Sequence, residues 1–205
     1  MKQALILDLD NTIYPVSSIA DHLFKKLFDL IDRESSNIDL NQINRAKDEL
    51  TRKHFQSVAD QFNFSPELKS KGIQLLQDMT YDLPMQPFTE YEDIRSLPHP
   101  KFLVTAGFHK LQWSKIKRLG IEDDFLEIHV VDPETSTKKA VFADIMRRHY
   151  YKPEELLIIG DDPDSEIKAA YELGIDTFLF DPMNKYPSTA ATFKNHRLKA
   201  VLDHV

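Results

Sequence analysis

Two carboxylates one residue apart, in Asp8-Leu9-Asp10-Asn11-Thr12, directly follow the apolar run Ala4 to Leu7. Successive residues of an extended chain point to opposite faces, so Asp8 and Asp10 project to the same side. A turn after a strand would account for one aspartate. Two on one face, with no lysine or arginine between Lys2 and Lys25, point to chemistry. A second acidic run, Gly160-Asp161-Asp162-Pro163-Asp164-Ser165-Glu166, follows the apolar Leu156 to Ile159. Asp162 suits a helix N-cap ahead of Pro163 in the first turn, and Asp164 suits the positive end of the helix dipole. Asp161 has no such structural account. If the two loops meet, like charges ~4 Å apart repel by about 4 kcal/mol at an effective dielectric of about 20, and a counter-ion is expected. Hard carboxylate oxygens, with no cysteine and no nearby histidine, select Mg²⁺.

Two further pieces suit a phosphate. In Leu103-Val104-Thr105-Ala106-Gly107 an apolar run ends in a hydroxyl and a glycine, and a hydroxyl with backbone N–H groups makes a cradle for phosphate oxygens. Lys138-Lys139 precedes a helical pattern expected to start near Ala140; at least one of the pair belongs to the solvated surface.

The elements that position these residues read as strands at residues 3–8, 101–105, 127–131, 156–160 and 177–180. Each is a short apolar run ending in a polar residue or glycine, the pattern of parallel strands covered on both faces. Helical patterns lie between them, as in Val141, Phe142, Ile145, Met146 and His149. Gly120 and Gly174 fit the positions just after helices. This alternation predicts an α/β fold, a doubly wound parallel sheet of Rossmann type. Residues 15–98 break the rhythm with three amphipathic stripes. One runs through Ala20, Leu23, Leu27 and Ile31, and one through Ile43, Ala46 and Leu50 toward Val58 and Phe62. The third starts with Ser65 as N-cap and Pro66. The expected organisation is a core of residues 1–14 and 99–205 with an inserted α-helical cap at 15–98.

Composition narrows the class. The chain has 205 residues, 41% hydrophobic and 29% charged, an ordinary globular balance. Its net charge of −7 argues against a nucleic-acid partner, which calls for a surplus of lysine and arginine. The absence of cysteine excludes disulfides, zinc–thiolate sites and a thiol nucleophile. No apolar stretch is long enough to span a bilayer, and the reading is a soluble, cytoplasmic protein without a membrane partner.

In order, Asp8-x-Asp10-x-Thr12, Thr105, Lys138, and Gly160-Asp161 with Glu166 resemble the haloacid dehalogenase superfamily, and the helical insert stands where that family carries its C1 cap. Asp-Leu-Asp-Asn-Thr-Ile-Tyr-Pro also resembles the pyrimidine 5′-nucleotidase-like phosphatases. The resemblance implies that Asp8 attacks phosphorus and that Asp10 acts as general acid and base. It implies Mg²⁺ held by Asp8, the Asp10 backbone carbonyl and Asp161, with Glu166 in contact or through water. Thr105, the Ala106 and Gly107 amides, and Lys138 would hold the phosphoryl oxygens. Dehalogenases lack the second aspartate, so Asp10 favours a phosphatase acting on a small phosphorylated metabolite, a nucleotide or sugar phosphate. A phosphotransferase or mutase would use the same residues. A non-catalytic Mg²⁺-dependent phospho-acceptor or binding module is the reading from another class. The sequence departs from the family pattern in carrying Glu166 where aspartate is commoner, in lacking a Lys-Pro pair at Lys138-Lys139, and in lacking a Tyr-Gly-rich segment at 50–62. At the edge of the insert and within it, Tyr14, Arg52, Lys53, His54 and Phe55 merit inspection as substrate contacts. Arg52, Lys53 and His54 read first as a helix surface, and Phe55, His109 and Trp113 as packing.

Overall fold

The computed structural model of the protein describes residues 1–35 and 38–205. Six parallel strands form one sheet: β1 (Ala4–Leu7), β2 (Lys101–Ala106), β3 (Glu127–Val131), β4 (Leu156–Gly160), β5 (Asp176–Phe180) and β6 (Phe193–Asn195). Their spatial order is β3-β2-β1-β4-β5-β6. The chain winds outward from β1 through β2 to β3, then crosses back to β4 on the other side of β1. The reversal therefore falls between β1 and β4, where open α/β sheets bind ligands. The short β6 carries no apolar run and has no fully buried residue, so the sequence pattern did not announce it.

Both faces of the sheet are buried, and β1 divides its four residues between them. Leu5 and Leu7 join Leu103, Leu157, Ile159 and Phe178 in one apolar cluster. Ala4 and Ile6 join Phe102, Val104 and Ile158 in the other, against Phe142 and Ile145 of a helix. Each fully buried side chain of this size is worth about 1.5–3 kcal/mol, which explains why β1 is apolar throughout and does not alternate with polar residues.

Among the described residues, a short 3-10 turn (Val16–Ser18) and six α-helices lie between β1 and β2: α1 (Ala20–Leu23), α2 (Lys25–Glu34), α3 (Leu40–Glu49), α4 (Phe55–Gln61), α5 (Pro66–Asp78) and α6 (Tyr91–Arg95). The sheet then alternates with α7 (His109–Leu119), α8 (Lys138–His149) and α9 (Lys168–Tyr171). The cap of α5 is as its sequence predicts: Ser65 Oγ accepts from the Leu68 amide at 3.1 Å, with Pro66 in the first turn. Gly120, at φ 65°, closes α7. Helix α6 packs against the segment Leu198–His204, and Tyr91 and Arg95 both bond the Asp124 carboxylate.

Three expectations need correction. The stripe from Ile43 toward Phe62 is two helices, because the Thr51 hydroxyl bonds the Asp48 carbonyl at 2.7 Å and ends α3. Residues 51–54 form a turn before α4. Helix α8 begins at Lys138, two residues before Ala140, because Thr137 caps it by accepting from the Ala140 amide at 3.2 Å. The helix after Asp162 opens with one wide π turn, Pro163–Ile167, before α9. Such turns recur at functional sites.

Phe55, the first residue of α4, lies across α5. A methyl group at Gly72 would sit 2.2 Å from Phe55 Cζ. Gly72→Ala should therefore destabilise the protein. The gain in helix propensity, about 1 kcal/mol, is outweighed by overpacking of about 1–3 kcal/mol. Urea unfolding of the variant should show a lower midpoint; a higher one would mean that Phe55 moves aside freely.

Candidate active site

Strands β1 and β4 are neighbours in register, Leu7 beside Ile159, and the Asp8 amide donates to the Ile159 carbonyl at 3.0 Å. This pairing sets the two acidic loops side by side. Lys138, at the start of α8, reaches between them: its ammonium lies 2.6 Å from Asp8 Oδ1 and 2.7 Å from Glu166 Oε2. The other Glu166 oxygen accepts from the Asp162 amide at 2.8 Å. Asp8, Asp161 and Glu166 each bring a carboxylate oxygen within 4.8 Å of the others. The π turn carries Glu166 inward over Gly160, where a Cβ would meet its Oε1 at 2.2 Å, so the cluster requires glycine at that position. Lys139 points elsewhere and pairs with Glu172 at the surface.

Two buried carboxylates, Asp8 and Glu166, and the half-buried Asp161 face one ammonium, and their electrostatics follow from that imbalance. Burial, reinforced by the charges of Glu166 and Asp10, pushes the Asp8 carboxyl up to about 7 despite Lys138. Burial, with Glu166 and Asp8, raises Asp161 well above the ordinary carboxylate range. For Glu166 the opposing Lys138 charge and hydrogen bonds overcome burial and lower it. Burial disfavours the Lys138 ammonium, but Asp8 and Glu166 together hold it protonated. An all-oxygen donor set with surplus negative charge suits a hard divalent cation.

Asp10 faces a different set of groups. Its carboxylate accepts from Lys115 Nζ at 2.8 Å, from Gln112 Nε2 at 2.8 Å and from the Tyr14 hydroxyl. Burial works against its charge, yet Lys115 and these donors bring the carboxyl below its usual range. Its side chain is thus absent from the Asp8–Asp161–Glu166 group, and a metal role for Asp10 falls to its backbone carbonyl alone. Gln112 Nε2 also donates to the buried Thr105 hydroxyl at 2.7 Å, joining the ends of β1 and β2. The Gly107 amide is not available to a phosphate, because it donates to the Val131 carbonyl at 2.9 Å and continues the β2–β3 ladder.

Above these carboxylates is a cavity of about 120 Å³. Thr51, Arg52, Lys53 and His54 line it from the turn between α3 and α4, with Val16, Leu50 and Leu76 as apolar wall. Arg52, Lys53 and His54 therefore belong to this turn, not to a helix surface. Asn11, in the left-handed conformation at φ 56°, holds the turn with a bond from its side-chain amide to the Thr51 carbonyl at 3.3 Å. Phe55 packs inside the helices as expected, and Trp113 against the core beside His109. The sequence did not reveal Gln112 and Lys115. The available signal was a lysine on the buried face of α7, in line with Leu111, Gln112 and Ile116.

The family model described as haloacid dehalogenase-like hydrolase matches residues 5–180. A glyceraldehyde 3-phosphate phosphatase of Methanopyrus kandleri is 26% identical over 196 residues, covering 86% of this chain and 83% of that one. A ribulose-1,5-bisphosphate 5-phosphatase of Halopiger xanaduensis is 29% identical over 82 residues, covering 38% and 34%. Among solved structures, a haloacid dehalogenase-like hydrolase from Streptococcus pneumoniae superposes with a TM-score of 0.75 at 20% identity, covering 99% of this chain and 98% of its own. A HAD-hydrolase from Bacillus subtilis, solved with magnesium bound, gives a TM-score of 0.67 at 19% identity, covering 99% and 98%.

A cation at this cluster must displace the protons that burial favours on Asp8 and Asp161. Mg²⁺ affinity is therefore expected to rise as the pH passes upward through about 7, with proton release on binding. Calorimetric titrations at mildly acidic and mildly alkaline pH, in buffers of different ionisation enthalpy, would detect both effects. An affinity independent of pH would show that the cation binds elsewhere.

Proposed function

We propose, from the premise that the chain belongs to the haloacid dehalogenase-like hydrolases, that it is a Mg²⁺-dependent phosphatase of small phosphomonoesters. The observation that carries this reading is the convergence of Asp8, Asp161, Glu166 and Lys138 where the sheet reverses direction, with Asp10 held beside them. The relatives, a glyceraldehyde 3-phosphate phosphatase and a ribulose-1,5-bisphosphate 5-phosphatase, favour a phosphorylated sugar as the substrate class over a nucleotide. The relatives named above include no nucleotidase.

In this reading Asp8 attacks phosphorus. The bond from phosphorus to the leaving oxygen breaks, its electron pair stays on that oxygen, and the protonated form of Asp10, the minor form given the donors around it, supplies the proton. Water then adds to the phosphorus of the aspartyl-phosphate and gives its proton back to Asp10. Asp8 is freed with inorganic phosphate. Thr105, the Ala106 amide and Lys138 hold the phosphoryl oxygens as their charge redistributes. Asp8, Asp161, Glu166 and the Asp10 carbonyl are the metal-binding groups. Mg²⁺ bound there would supply the positive charge that keeps Asp8 ionised at neutral pH and offsets the charge on the phosphoryl group. Residues 15–98 serve as the cap, and the turn at 51–54 faces the leaving group.

Hydrolysis of an aryl phosphate with Mg²⁺ is the direct test. Activity should vanish with excess EDTA and in Asp8→Asn, whose amide cannot act as the nucleophile; an Asp8→Asn variant with most of its activity would remove the covalent mechanism. The two lysines provide a second test. Lys138→Ala should lose roughly 10²–10³ in kcat, as for a lost oxyanion donor. Lys139→Ala, at an exposed ion pair, should behave as wild type. Steady-state kinetics of both variants decide between them, and the reverse order would transfer the phosphate contact to Lys139.

A further inference from the structure

Lys115 is a buried ammonium that the reaction described above does not use. It lies on α7, its side chain is 6% exposed, and its nearest partner is Asp10 Oδ1 at 2.8 Å. It lines the wall of the cavity, and an ammonium so withdrawn from water is costly unless it is matched by a carboxylate. The same helix supplies Gln112, one turn earlier, whose Nε2 spans 2.8 Å to Asp10 Oδ2 and 2.7 Å to Thr105 Oγ1. The Tyr14 hydroxyl closes the third side, and Lys115 Nζ stands 5.9 Å from the centre of its ring. Asp10 is thus held at both oxygens by donors from two directions, all on buried side chains. Its neighbour two residues back, Asp8, has a separate partner in Lys138.

We propose that Lys115, with Gln112 and Tyr14, is the positioning device that aims the Asp10 carboxylate at the phosphoryl centre. The proposal rests on the phosphatase reading. Lys115 itself touches no reacting atom. It sets where Asp10 stands when water loses its proton to that carboxylate and adds to the phosphorus of the Asp8 aspartyl-phosphate. Without Lys115 the carboxylate is free to swing toward Lys138, the other ammonium of the site. Attack by Asp8 on an ester with a good leaving group needs no proton from Asp10, so this half-reaction should survive the loss of the clamp. Breakdown of the phosphoenzyme should not. Mispositioning of a reacting group by about 1 Å costs around 10²-fold.

Lys115→Met, Lys115→Arg and Tyr14→Phe should be compared with wild type in Mg²⁺, using rapid-mixing kinetics on 4-nitrophenyl phosphate and steady-state kinetics on an alkyl phosphate. For Lys115→Met we expect kcat on both esters to fall about 10²-fold. A burst of nitrophenolate close to the enzyme concentration should remain, with phosphate trapped on the protein by acid quench. Lys115→Arg should regain most of the turnover. Tyr14→Phe, which removes only the hydroxyl, should show the same burst with a smaller fall and tests the clamp even if Lys115→Met fails to fold. Wild-type turnover together with a Lys115→Met variant of unchanged kcat, or with a loss of kcat and no burst in either Lys115→Met or Tyr14→Phe, overturns the clamp alone. A wild-type protein inert toward both esters overturns the clamp and the phosphatase reading together.

Discussion

One ammonium shared by two carboxylates organises the centre of this molecule. Lys138 lies 2.6 Å from Asp8 and 2.7 Å from Glu166, and all three side chains are withdrawn from water. Removing one member of such a buried group typically costs 3–5 kcal/mol, because the remaining charges lose their compensation. Several local irregularities are consequences of holding it together. The wide turn at Pro163–Ile167 brings Glu166 inward, Gly160 leaves room for its carboxyl, and Thr137 starts α8 early enough for Lys138 to reach the sheet.

Asp8 and Asp10 are neighbours on one loop, yet their surroundings drive them in opposite directions. Asp8 sits among other carboxylates, and burial dominates. Asp10 sits among donors, and these prevail over burial. Separation of two like groups by environment is a common way of assigning them different tasks in acid–base chemistry. Here it depends on which helix faces each residue: α8 supplies the ammonium for Asp8 and α7 the one for Asp10.

Most of the framework was legible in the residues because strands buried on both faces must be apolar throughout. That constraint marks β1, β2 and β4 and the buried end of β5, and it also locates Asp8, Thr105 and Gly160-Asp161 at strand ends; β3, at the sheet edge with Glu127 and His129, is buried only at Val131. The constraint fails for β6, whose Phe193, Lys194 and Asn195 bury too little to leave a pattern. Tertiary contacts decided the rest. The turn at Thr51 joins the Thr51 hydroxyl bond and local backbone bonds to the Asp48 and Glu49 carbonyls with a contact from Asn11, far away in sequence. The Gly107 amide was lost to Val131 because β2 runs one residue further than its apolar stretch suggests. Gln112 and Lys115 occupy helical positions that a pattern of hydrophobicity assigns to the core, and only the location of Asp10 explains the polar atoms there.

The central place of β1 in the sheet has a consequence for how the chain is made. Ala4 to Leu7 is made before the rest of the sheet, and its two hydrogen-bonding neighbours begin only at Lys101 and Leu156. At about 5–20 residues per second, the strand waits several seconds for each partner, with the whole helical insert made in between. Short apolar segments exposed in this way invite pairing with other chains unless charged residues flank them. Asp8 and Asp10, directly after Leu7, provide that flank. The carboxylates of the mature site thus also shield the nascent strand from aggregation until the sheet can close around it.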